Sequence, residues 1–352
     1  MKSLLRHASK AVPALLSLGL LAWVLRSADV GRALSLVQSL GWRLPLLLLP
    51  NFCAFLAETT GWWLAFGRLG GRPRFRRLLV VRVVVDALML GLPSGSVMSE
   101  TVQPYLLKRR CGVPLETGIV ATVGRKFFVV LSHGLFLAVA TVLAWPILDA
   151  DSTAAIGRKG LPWLLLATAS VLVAAALGLV LATAHGRMAD RVHRVLDRLG
   201  GRWMGTWLER NALRFQRTDE GLATFFRHDP AGLFPSVLLY ALGWFIRSLE
   251  TWLFARLVGA SIPLAAAMVI EPALILVRAL AVPVPAGLGV QDTGYILCFK
   301  ALGVPDATTA GAAFVLLKRG KDLFWILLGF ILMGVARRRG EANLPAGPAG
   351  GA

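Results

Sequence analysis

From residue 11 to residue 335 the chain passes through apolar runs at 11 to 26, 44 to 66, 76 to 92, 117 to 145, 161 to 185, 231 to 255, 262 to 283 and 307 to 335. Most of the connectors are short and basic. At ~1.5 Å per residue such runs approach or exceed the roughly 30 Å hydrocarbon core of a bilayer, where a backbone without water must satisfy its own hydrogen bonds and so becomes helical. The expected fold is an all-α polytopic membrane protein. With 56% hydrophobic and 16% charged residues, the chain has too little polar surface to wet a soluble domain of its 352 residues.

Two further segments, 94 to 111 and 286 to 302, are shorter, rich in breakers and partly polar. They read as Gly/Pro-broken hairpin segments beside about eight long transmembrane helices, and they are in register with each other. At a shift of 192 positions Pro93, Gly95, Glu100, Thr101 and Lys108 meet Pro285, Gly287, Asp292, Thr293 and Lys300, and Glu58-Thr59 meets Glu250-Thr251. At a shift of 191, Gly112-Val113-Pro114 meets Gly303-Val304-Pro305. The resulting division is an N-terminal signal-anchor helix and outer loop (1–43), a first repeat (44–145), a connecting helix and amphipathic cytoplasmic segment (146–230), a second repeat (231–336) and a disordered cytoplasmic tail (337–352).

Charge orients the chain. The net charge of +19 is scattered in loop clusters rather than gathered on one face, which argues against nucleic acid as a partner. Arg68 to Arg77, the nine arginines of residues 186 to 230 and Arg337 to Arg339 all come out cytoplasmic, as do both termini, if each short segment carries the chain across, giving about ten passes. Under that topology the repeats enter from opposite sides and are inverted. Inverted repeats with matching interrupted segments are a signature of transporters that bind cargo near the bilayer midplane. Cys53, Cys111 and Cys298 form no CxxC and lie near no histidine, so no disulfide framework, metal or cofactor is expected.

Charged residues inside apolar segments are costly, so each needs a partner or a purpose. The candidate substrate-binding set is Arg82, Asp86, Pro93, Gly95, Glu100, Arg125, Lys126, Arg247, Glu250, Arg278, Pro285, Gly287, Gly289, Gln291, Asp292, Lys318 and Arg319. Spacing predicts local pairs for some: Arg82 with Asp86 and Lys318 with Asp322 at i,i+4, Arg247 with Glu250 at i,i+3, and Glu271 with Arg278 at i,i+7. Basic residues outnumber acidic ones in these segments, so several cations are expected to lack a carboxylate, and an anionic ligand could supply one. His133 reads as a packed or hydrogen-bonded histidine.

On the stretches Val284 to Tyr295 (VPAGLGVQDTGY), Leu316 to Phe330 (LLKRGKDLFWILLGF) and Leu92 to Glu100 (LPSGSVMSE), the sequence resembles the transmembrane, flippase-like region of the lysylphosphatidylglycerol synthase family. It is also similar to hopanoid-biosynthesis-associated membrane proteins, and the likeness covers about residues 10 to 335. Pro285, Gly287, Gly289, Asp292, Lys318 and Arg319 match the family's second-half pattern, whereas the first-half copy lacks the second glycine.

The resemblance implies a bacterial inner-membrane protein that moves polar- or anionic-headed lipids between leaflets, with membrane lipids as partners. Larger members add a soluble aminoacyl-transferase part for which 352 residues leave no room, so the chain is expected not to be an enzyme, and a separate lipid-modifying enzyme is a candidate partner. Two other readings stay open: a non-catalytic scaffold or partner subunit, and an intramembrane enzyme acting on a lipid headgroup.

Overall fold

The computed structural model describes residues 28–92, 94–156, 159–184, 216–227, 230–280 and 287–342, together with Gly19, Ala22, Arg26 and Val284. Most of the signal-anchor run, most of the arginine-rich stretch from 185, the tail from 343, Pro93 and Pro285 lie outside these residues. Among the described residues the only regular structure is helix. α1 is Val30–Gln38, followed by a 3-10 turn, Gly41–Leu48, that leads into α2, Leu49–Phe66. α3 (Phe75–Gly91), α4 (Gly95–Cys111), α5 (Leu115–Leu143), α6 (Trp145–Ile156) and α7 (Leu161–Ala184) come next. After α8, residues 216–227, a second 3-10 turn, Pro230–Leu233, opens α9, Phe234–Leu257; α10 (Leu264–Leu280), α11 (Val290–Ala301) and α12 (Ala307–Ala342) complete the chain.

Among the described residues four stretches are long and apolar enough to cross a membrane: Gly41–Leu69, Leu115–Leu143, Leu161–Thr183 and Ala231–Leu257. Of the other four runs read from hydropathy, 11 to 26 lies mostly outside the described residues, and three fall short of this measure for two reasons. α3 and α10 have 17 residues each, about 26 Å of helix, because breakers end them early. α12 has 36 residues but carries Lys318, Arg319, Lys321 and Asp322 along one stretch. Leu161–Ala184 is apolar on all sides, and Trp163, Leu164, Val171 and Leu181 point outward, as suits a helix wetted by lipid.

The two short segments are each the second arm of a helical hairpin. α4 doubles back along α3, and Arg77 at the start of α3 donates to the Arg110 carbonyl at the end of α4, 3.4 Å away. Arg110 also donates to the Leu332 carbonyl of α12 at 2.8 Å, and Arg68 reaches the Phe225 carbonyl of α8 at 3.2 Å. The basic connector after α2, the end of α4, α8 and the last turns of α12 therefore gather at one end of the bundle. The α10/α11 hairpin opens toward α1: Ala260 and Ile262 before α10 and Val304 after α11 join one apolar cluster with Ala33 and Leu40. Gly112 (φ 71°) and Gly303 (φ 67°) supply the left-handed turn after α4 and α11. Pro114 and Pro305 follow, just before α5 and α12, so each Gly-Val-Pro closes one helix and opens the next.

α2 packs along α9, α3 on α12, and α10 on α5. Small residues permit the close crossings: the Ser236 hydroxyl of α9 donates to the Gly61 carbonyl of α2 at 2.9 Å. At the α3/α12 crossing a Cβ on Gly329 would sit 2.3 Å from the Ala87 Cβ and 3.1 Å from the Val83 carbonyl oxygen. Gly329→Val is expected to pry these helices apart at a cost of about 1–3 kcal/mol. Its measure is a lower unfolding temperature of the detergent-purified protein; an unchanged temperature would mean that the crossing is not tight.

Candidate functional site

Most charged residues of the apolar segments turn inward and line one cavity of about 390 Å3. Of the candidate set, Arg82, Asp86, Gly95, Glu100, Arg125, Lys126, Arg247, Arg278, Gly287, Gln291, Asp292, Lys318 and Arg319 line it. Glu250 stands behind the wall and Gly289 begins α11. The cavity also takes in Glu58, Glu271, Tyr295, Lys321 and Asp322, giving eight basic and six acidic side chains around one space.

Glu58 of α2 ties three helices together. One carboxylate oxygen accepts from Arg82 of α3 at 2.6 and 3.2 Å, and the other from Arg247 of α9 at 2.9 and 3.3 Å. Arg82 also reaches Asp86 at 3.2 Å, the i,i+4 pair read from spacing, and Arg247 reaches Asn51 at 3.2 Å. Glu250, which matches Glu58 at the shift of 192, likewise bridges two cations: Lys318 at 2.9 Å and Lys321 at 2.8 Å. Lys318 donates further to the Thr251 hydroxyl at 2.9 Å and to Glu271 at 3.1 Å. Glu271 in turn accepts from Tyr295 at 2.7 Å and from Thr251, and Gln291 donates to the Tyr295 hydroxyl at 3.1 Å.

A second pair of matching contacts lies at the hairpins. Glu100 of α4 accepts from Arg125 at 3.2 Å and Lys126 at 3.1 Å of α5, while Asp292 of α11 accepts from Arg319 of α12 at 2.6 and 2.9 Å. The other Asp292 oxygen accepts from the Gly289 backbone N–H at 2.9 Å, so this side chain reaches back to the start of its own helix. Arg319 also reaches Asp322 at 3.4 Å.

Three of the local pairings therefore do not form. Arg247 goes to Glu58 and leaves Glu250 to the lysines; Lys318 goes to Glu250 and Glu271 and leaves Asp322 to Arg319 and Lys321; Glu271 goes to Lys318 and not to Arg278. In the packed interior, partners on facing helices approach along the side-chain direction, and exchanging a neighbour on the same helix for a cross-helix carboxylate satisfies both groups.

The expectation of several unpaired cations narrows as well. Arg278 is the cavity cation that makes no hydrogen bond or ion pair among the described residues. Gly287 packs on it, with φ 61°, and a Cβ there would lie 2.4 Å from the Arg278 Cγ. Gly287→Val is thus expected to force Arg278 out of place and strain the turn, lowering lipid exchange more than protein abundance; full activity would show that the Arg278 position does not matter. The His133 Nε2 sits 3.1 Å from the Pro272 carbonyl and its ring lies on Trp244, so it joins α5 to α10 as a packed histidine.

Among the described residues no three His, Cys, Asp or Glu side chains gather as a metal site. Residues 11–329 match the family described as the lysylphosphatidylglycerol synthase TM region. The chain belongs to that family. This synthase TM region is a multi-pass membrane module, and the charged cavity lies wholly within the matched span. No curated protein matches the chain.

Glu58 and Glu271 each bind partners on other helices yet stand outside the candidate set. The register of Glu58 with Glu250 is the signal for the first, whereas nothing in the spacing of Glu271 points to Lys318.

Proposed function

We propose that the protein moves a lipid with an anionic or otherwise phosphate-bearing headgroup between leaflets of a bacterial inner membrane, the headgroup passing through the charged cavity while the acyl chains stay in hydrocarbon. Arg278 carries this reading. A guanidinium inside a membrane protein needs a counter-charge, and in a cavity with more basic than acidic walls a phosphate oxygen pair fits its two-pronged donor face.

The architecture supports alternating exposure. α2 lies on α9, the first helix of each proposed repeat; α3 on α12 and α10 on α5 are exchanged versions of one contact. Gly118 seats over Pro104, and Gly311 over Ile296, the first members of each pair standing 193 positions apart and the second 192. Hairpins opening toward opposite ends suit an inverted pair of repeats, with the basic end of the bundle, and both termini, in the cytoplasm. Their tips, at Gly95 and Gly287, meet at the cavity.

The test is exchange of headgroup-labelled lipids in proteoliposomes, read with a membrane-impermeant quencher. Protein-dependent exchange that is fast for phosphatidylglycerol and slow for an uncharged diacylglycerol-based glycolipid is the expected result. No exchange with either sign of ion gradient would overturn the reading in favour of a scaffold or partner subunit, and equal exchange of both lipids would overturn the role given to Arg278 and the charged cavity.

A further inference from the structure

A second, wholly apolar groove of about 330 Å3 runs along the outside of α12, lined by Leu48, Leu49, Phe52, Leu79, Val83, Trp325 and Leu328 among others. It shares one wall with the charged cavity, the side chain of Trp325, which lines both. Trp325 is 6% exposed and is fixed by aromatic contacts: Phe55 meets it edge-on at 5.0 Å, Phe324 at 5.4 Å, and Phe52 stacks on it at 6.3 Å. Its indole Nε1 is buried and has no hydrogen-bond acceptor among the described residues. A buried N–H without a partner is destabilising, and a bound acceptor would relieve it.

We infer that the groove seats an acyl chain of the lipid whose headgroup occupies the charged cavity, with Trp325 as the wall between them and its indole N–H donating to an ester carbonyl of the lipid's glycerol backbone. The inference rests on the transport reading above, and it assigns the cargo's chemistry: an acyl ester lipid rather than a water-soluble anion. The juxtaposition matches the build of such a molecule. Its charged end needs Arg278, its ester needs a donor at the polar–apolar border, and its chain needs a surface without polar atoms; the cavity, Trp325 and the groove supply these in that order. Phe52 and Phe324 are 38% and 43% exposed, so the groove is open sideways and a chain can slide in from the bilayer.

The test uses the full chain in nanodiscs with a phosphatidylglycerol carrying a photoreactive diazirine in its acyl chain, and maps the adducts by peptide mass. In the wild type, adducts are expected on Leu79, Val83 and Leu328, above the level on the outward residues Leu164 and Leu181 of α7. Arg278→Ala should lower the groove adducts several-fold and leave those on α7 unchanged. Trp325→Phe, which keeps the wall and removes the N–H, should lower them roughly three- to tenfold, the worth of one hydrogen bond. Groove labelling no stronger than that on α7, or insensitive to both substitutions while Arg278→Ala still slows lipid exchange, would mean that ordinary boundary lipid fills the groove, and would overturn this inference without touching the transport reading. Loss of headgroup selectivity in the exchange assay itself would take both down.

Discussion

Arg278→Ala is expected to slow exchange of phosphatidylglycerol by roughly 10- to 100-fold, the loss of charge-assisted hydrogen bonds worth about 1.5–3 kcal/mol. Protein abundance should stay within about a factor of two, because the substitution removes a charge and leaves no buried partner behind. The asymmetry comes from the structure: each other cavity cation holds a carboxylate, and Arg278 holds none among the described residues. Exchange rates in proteoliposomes, normalised to folded protein, are the measurement. Equal falls in rate and abundance would place Arg278 among the residues that only hold the bundle together.

Lys318→Met should behave in the opposite way. Lys318 is 5% exposed and donates to Glu250, Thr251 and Glu271, joining α9, α10 and α12. Glu250 would keep Lys321, but Glu271 would be left as a buried carboxylate without a cation, a change that costs about 3–5 kcal/mol. Against a total stability of about 5–15 kcal/mol, abundance and unfolding temperature should drop sharply. Adding Glu271→Gln removes the orphaned charge and is expected to recover most of the loss, since Gln can still accept from Tyr295 and Thr251. A Lys318→Met protein as stable as the wild type would show that this network does not hold the three helices.

The two substitutions also mark how far local features of the sequence reach. Periodicity and breakers locate most of the helices, and the repeat register matches Glu100 with Asp292, because both are local or strictly spaced features. α1 and α6 are not legible in this way: Val30–Gln38 and Trp145–Ile156 lie beside the apolar runs rather than within them. Pairing is less legible still. Spacing reports only neighbours on one helix, so it points Arg247 to Glu250, whereas the carboxylate that Arg247 holds lies 189 residues away on α2. Only the packing of α2 on α9 brings Glu58 there. The same limit hides Lys318 from Glu271, and the lack of a carboxylate at Arg278 among the described residues is seen only in three dimensions.

That lipid passes through the cavity is tested most directly by blocking it. Ser96 is exposed at the start of α4 and lines the cavity, while Cys53, Cys111 and Cys298 do not. Ser96→Cys, in a background with those three cysteines replaced by alanine, gives one thiol to label with a small methanethiosulfonate reagent. The expected result is that labelling stops phosphatidylglycerol exchange, that reducing the adduct restores it, and that added phosphatidylglycerol slows the labelling. Exchange at an undiminished rate through fully labelled protein would contradict the account, because the headgroup would then be crossing by another route.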